Sequence, residues 1–197
     1  VGVDEMQKGE TLTKLDLSYR CCYRGTANSG DKGAAIMAPA LLKMTAELTA
    51  LTVLDLENNN ISAKGATILA PALAKMPALE VLRLQTNNIG DKGAANLAPV
   101  LAKMTALTVL NLMNNNIGEE GAAILAPALA EMTGLKHLDL TNNNIGDEGA
   151  ASLAPALLKM TALRCLYFWN NNIGDEGKRV LSEAWKNAGK DADELYL

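Results

Sequence analysis

Residues 142–163 read NNNIGDEGAASLAPALLKMTAL, and the same phrase returns along the chain with few changes. Residues 114–135 read NNNIGEEGAAILAPALAEMTGL, and residues 86–107 read TNNIGDKGAANLAPVLAKMTAL. The first leucine of each copy falls at Leu51, Leu79, Leu107, Leu135 and Leu163, a constant period of 28. A fixed period of this length means a stack of similar layers, and it takes precedence over any local propensity.

Each copy has two halves with different periods. In Leu107, Leu110, Leu112, Asn115 and Ile117 the spacing is L-x-x-L-x-L-x-x-N-x-I. Alternation at Leu110-x-Leu112 puts both leucines on one side of a short strand. Beyond the asparagine the period lengthens. Ala122, Leu125, Ala126, Leu129 and Met132 recur at three or four, as one face of an amphipathic helix does. Acidic residues gather at the helix starts (Asp147, Glu148; Asp175, Glu176), and Lys43, Lys75, Lys103 and Lys159 stand near the expected ends, an order that suits the helix dipole. A proline stands midway through each expected helix, at Pro39, Pro71, Pro99, Pro127 and Pro155. Proline removes a donor there, so the helix either kinks or restarts with proline in its first turn.

These words, LxxLxLxxNxIxxxGAxxLAxxL, resemble those of the leucine-rich repeat proteins, and in particular the ribonuclease-inhibitor-like subfamily with one strand and one helix per repeat. The match covers residues 51–177 and extends more weakly over 12–197. The resemblance implies an α/β class fold: a right-handed solenoid, the leucine-rich repeat horseshoe, with parallel strands on the concave face and helices on the convex face. The whole chain, 1–197, then forms one domain. Residues 1–11 are a lead-in, 12–50 an irregular first repeat with two insertions, and 51–162 four regular repeats. Residues 163–190 are the last full repeat and 191–197 a truncated capping strand.

The recurring polar and sulfur residues are read as structural. Asn59, Asn87, Asn115, Asn143 and Asn171 sit where the chain leaves the strand, and are expected to bond backbone groups that the turn strands. Asn116, one position on, is expected to be exposed and tolerant of substitution. Glycines at 65, 93, 121, 149 and 177 mark close packing or helix starts, and the Met44, Met76, Met104, Met132 and Met160 stripe fills the core. Trp185 takes a core leucine's place in the last full repeat.

Composition narrows the functions. Half the residues are apolar but only 4% are aromatic, which suits aliphatic layers. The net charge is −4 with Lys and Arg scattered, so no basic patch invites nucleic acid. No apolar run approaches the ~20 residues of a membrane span. Three cysteines (Cys21, Cys22, Cys165) form no disulfide framework and fit a reducing, cytoplasmic setting. A single histidine, His137, leaves no histidine-rich metal site, and neither a metal nor a cofactor is expected. Cys165 shares a column with His137, as a thiol and base would, but no third residue or oxyanion loop accompanies them.

Function is expected where the repeats differ on the exposed side of the strands. The first such column reads Lys14, Val53, Val81, Val109, His137, Cys165, and the second Asp16, Asp55, Arg83, Asn111, Asp139, Tyr167. The third reads Ser18, Glu57, Gln85, Met113, Thr141, Trp169. An acidic N-terminal half thus faces an aromatic C-terminal end. The candidate partner-binding residues are Tyr167, Trp169, His137, Asp139, Met113, Arg83, Asp55 and Glu57. They suit a monomeric, non-enzymatic scaffold that takes a protein partner on its concave face. Two alternatives follow. Some relatives in the subfamily activate small GTPases, for which Arg20 and Arg24 are the only candidate arginines; and the near-identity of the middle copies suits a consensus-like array with no specific partner.

Overall fold

In the computed structural model the described residues are 12–18, 31, 34, 35, 38, 39, 41 and 49–197. The lead-in, Cys21 and Cys22, Arg20 and Arg24, and nearly all of the two insertions lie outside them. Among the described residues seven short strands form one parallel sheet in chain order: β1 (Lys14–Asp16), β2 (Val53–Asp55), β3 (Val81–Arg83), β4 (Val109–Asn111), β5 (His137–Asp139), β6 (Cys165–Tyr167) and β7 (Leu195–Tyr196). Between them run α1 (Ala63–Leu73), α2 (Gly90–Leu101), α3 (Glu119–Glu131), α4 (Gly146–Leu157) and α5 (Asp175–Asn187). Each helix packs on the next one along the stack. This is the α/β solenoid expected from the period.

Register follows the repeat. Leu54, Leu82, Leu110, Leu138 and Leu166 stand opposite one another across β2 to β6, and Leu195 continues the row in β7. All but Leu195 are buried, as are the second strand leucines, Leu56, Leu84, Leu112 and Leu140. Phe168 takes that second slot in the last full repeat and is buried completely. Helix positions such as Leu97, Leu125 and Leu153 close the other side of the core, and Met76, Met104, Met132 and Met160 fill the gap below the helices. Burying one such aliphatic side chain stabilises the fold by about 1.5–3 kcal/mol. These four methionines are core, and Met44 lies outside the described residues.

The asparagine column works as a ladder. Asn143 accepts the N–H groups of Asn115 and Ile117 at 3.0 Å each, and donates to the carbonyls of Leu112 and Leu140 at 3.0 and 2.9 Å. Asn87 does the same two repeats earlier for Asn59 and Ile61. A strand that ends every layer at the same place leaves these groups without ladder partners, and the carboxamide supplies both kinds of bond.

Three expectations change. Asn116 is exposed, but its φ is +56°, so it sits in the left-handed region that asparagine tolerates and alanine does not. The prolines lie close to the C-terminal ends of their helices, and each helix runs unbroken past its proline instead of restarting there. Pro71, Pro99, Pro127 and Pro155 are all exposed. The carbonyls they free, four residues back, therefore lie on the watered side of the helix, where solvent replaces the missing bond. Likewise Lys75, Lys103 and Lys159 fall just beyond their helices, and no basic residue stands in the last turn of α1 to α4.

The C-terminal end is closed by a different device. Trp185 is buried and donates its indole N–H to the Asp191 carbonyl at 2.6 Å. Lys190 reaches back over the Trp185 ring and donates to the carbonyls of Met160 and Leu163 at 2.9 and 2.7 Å. These contacts hold the chain as it enters β7.

Candidate partner-binding surface

Period-two geometry turns the residues between the leucines away from the helices. All the candidate residues except Trp169 are half-buried on this face, and Trp169 is 50% exposed. The strands bring them together as two groups separated by Met113 in the third column.

At the N-terminal end, Asp55, Glu57 and Arg83 form one group. The Arg83 guanidinium lies 3.7 Å from the Asp55 carboxylate, and Gln85 donates its amide to Glu57 at 2.9 Å. The acidic stretch read from the sequence is therefore balanced in part from within. The second-column Asp and Asn residues also have a backbone task. Asp55 accepts the N–H of Glu57 at 3.0 Å, Asn111 that of Met113 at 2.9 Å, and Asp139 that of Thr141 at 2.9 Å. Asp16 accepts from Ser18 in the same way. Each closes the turn two residues on, a role that asparagine fills as well as aspartate.

At the C-terminal end, His137 stands in register with Cys165, and Asp139 with Tyr167. Tyr167 is in turn in register with Tyr196 of β7. The two tyrosine rings stack, with centroids 4.7 Å apart and planes inclined by 11°. Trp169 meets both edge-on, at 6.3 Å from Tyr167 and 5.6 Å from Tyr196. Contacts of this geometry are worth about 0.5–1.5 kcal/mol beyond burial. Partial desolvation raises the Tyr167 phenol above its ordinary pKa, and Cys165, Tyr196 and Asp139 push it the same way. Tyr167 is thus neutral in neutral solution.

Tyr196 joins the cluster from outside the sequence columns. The step from Leu166 to its partner Leu195 is one position longer than the regular period, so a column extended by the period alone stops at Tyr167. The signal for it is the Leu195-x-Leu197 pair, since Tyr196 fills its exposed position.

Among the described residues no group of three or more His, Cys, Asp or Glu side chains could hold a metal ion. No helix among them is long and apolar enough to cross a membrane.

Comparison with known proteins agrees with this architecture. The family described as Leucine Rich repeat matches residues 48–70, 75–98, 103–126 and 132–154. No curated protein matches the sequence. Among solved structures, leiomodin-1 actin-binding site 2 superposes with a TM-score of 0.63 at 19% identity, covering 76% of this chain and 88% of that one. An internalin (inlF) from Listeria monocytogenes is 21% identical with a TM-score of 0.39, covering 74% of this chain and 48% of that one. The plant peptide hormone receptor RGFR1, solved with RGF2, is 18% identical with a TM-score of 0.35, covering 66% of this chain and 26% of that one. At such identities the leiomodin-1 likeness is one of fold.

Proposed function

This chain is a leucine-rich repeat protein, and we propose that it is a non-enzymatic scaffold whose concave strand face binds a partner protein. We place it with the long-repeat, ribonuclease-inhibitor-like members on its strand-plus-helix unit of period 28, and as a cytoplasmic monomer on its composition. The observation that carries the reading is the aromatic cluster of Tyr167, Trp169 and Tyr196. The sequence holds few aromatic residues: 4 Tyr, 2 Trp and 1 Phe. Two of them, Phe168 and Trp185, are buried in the core. Three more gather on one end of the open face, where burial of large, rigid rings is the usual source of interface energy. That the leiomodin-1 neighbour is named as an actin-binding site supports a protein as the class of partner.

The test is affinity capture with the wild type beside Tyr167→Ala/Trp169→Ala, followed by a measured affinity for whatever is retained. Loss of about 2 kcal/mol or more of binding is the expected result, beside a lower melting temperature from the three ring contacts removed and with the fold retained. A variant that melts lower yet binds its partner as before would show that the rings only cap the solenoid.

A further inference from the structure

We propose that Asp139 and the ring face of Tyr167 opposite Tyr196 form a slot for the guanidinium of an arginine presented by the partner. The inference rests on the concave-face reading and adds to it the chemistry of one contact. Tyr167 lies on β6, between Tyr196 on β7 and Asp139 on β5. Tyr196 stacks on one face of its ring, so the opposite face is turned toward the Asp139 carboxylate. His137 and Cys165 border the slot on one side, and Thr141 and the half-exposed Trp169 on the other.

The same column shows what such a carboxylate takes as its complement. Asp55 and Asp139 are repeat equivalents, and one oxygen of each accepts the N–H two residues on. At Asp55 the next strand supplies a cation, and the Arg83 guanidinium sits 3.7 Å from the other oxygen. At Asp139 the next strand supplies the Tyr167 ring, and the preceding one Asn111. Among the described residues no cation pairs with Asp139. A charge half-withdrawn from water, beside a flat aromatic face, is met best by a planar cation that stacks on the ring while its N–H fork engages the carboxylate. Arginine has that shape; lysine is a compact, strongly hydrated point charge that cannot stack. The net charge of −4 favours a basic partner in the encounter as well.

The probes are three capped pentapeptides, Gly-Leu-Xaa-Leu-Gly, with arginine, lysine or citrulline in the middle. Citrulline keeps the planar shape and loses the charge. Binding to the full chain is followed by nuclear magnetic resonance at the Trp169 indole N–H and the amides of Asp139, Thr141 and Tyr167. The arginine peptide is expected to give saturable shifts there and to bind at least about fivefold more tightly than either counterpart. Asp139→Asn should bring arginine level with citrulline. That variant keeps the turn, because Asn111 already plays the part at the equivalent position, accepting from Met113 at 2.9 Å. Equal binding of arginine and citrulline, or an unaffected Asp139→Asn, overturns the slot. Lysine binding as tightly as arginine overturns the guanidinium assignment, and the absence of any saturable shift overturns the proposal outright. If all three peptides shift Trp169 alike, the slot fails and the concave-face reading survives. Shifts confined to the helices would fail both.

Discussion

Replacing Asn143 with alanine should damage the fold far more than replacing Asn115, although Asn115 is the more deeply buried of the two (0% against 7% exposed). The reason lies in what each carboxamide leaves behind. The carbonyls served by Asn143 keep other donors: Leu112 still receives the Asn115 amide, Leu140 the Asn171 amide and Thr141 the N–H of Asn114. The N–H groups of Asn115 and Ile117, each 3.0 Å from the Asn143 oxygen, lose that acceptor inside the core. At about 1–3 kcal/mol for each stranded group, the loss comes to roughly 2–6 kcal/mol. Asn115 also donates to carbonyls that retain second partners: Leu84 keeps the Asn87 amide, Leu112 the Asn143 amide and Met113 the N–H of Thr86. Its oxygen serves only the Ile89 N–H, at a long 3.4 Å. Asn115→Ala should therefore cost about 1 kcal/mol. Urea unfolding followed by circular dichroism, with an unchanged slope, reads the difference directly. An Asn115→Ala variant as unstable as Asn143→Ala would refute the count of stranded donors, and would leave simple burial as the better guide.

Leu112→Ala should lose about 2–5 kcal/mol by opening a cavity in a close-packed layer, and a denaturation loss below about 1 kcal/mol would contradict its inward position. Asn116→Ala should cost roughly 1–2 kcal/mol, because alanine resists the left-handed backbone that Asn116 adopts. Asn116→Gly should be milder, and equal melting of the two variants would remove backbone strain as the cause. Lys190→Met keeps the packing over Trp185 but leaves the Leu163 carbonyl without the ammonium, while the Met160 carbonyl keeps the Leu163 N–H, and should cost about 1–3 kcal/mol in thermal or urea melts. No change in that variant would show that water serves the Leu163 carbonyl equally well.

The fold was legible because every layer repeats its own instructions. The strand leucines, the buried asparagines and the methionine column all follow from a period that any window of the sequence displays. The positions that mislead are those where one residue type has two uses. Asp55 and Asp139 read as surface charge, yet each also ties its own turn, and Asp55 faces an internal arginine. Nothing in a column of letters separates a carboxylate met by a neighbour from one facing solvent, since the answer depends on the strand beside it. Proline misleads for a related reason. Its cost is set by whether the freed carbonyl meets water, and that depends on which side of the helix faces the core.

The acidic residues at the helix starts show how a correct pattern can conceal its cause. Read along one helix, Asp91 and Asp147 favour their own N-termini through the dipole. In the stack each also accepts from the following repeat: Asp91 takes the N–H groups of Gly118 and Gly121 at 2.6 and 3.0 Å, and Asp147 those of Gly174 and Gly177 at 2.8 and 3.2 Å. Asp31 does this for Ser62 and Gly65. The device skips every second repeat. At the intervening starts the chain turns through Gly90 and Gly146, with φ of +59° and +63°, and their N–H groups go to the backbone carbonyls of Asn115 and Asn171. Where the aspartates cap, the left-handed residue is an asparagine instead, Asn60, Asn116 or Asn172. Near-identical copies therefore alternate between two turns, because parallel strands of equal length leave the next helix's first amides to be met either by a neighbouring carboxylate or by a neighbouring backbone. At every second layer the cap is written in the layer before it, and at the others in the layer after.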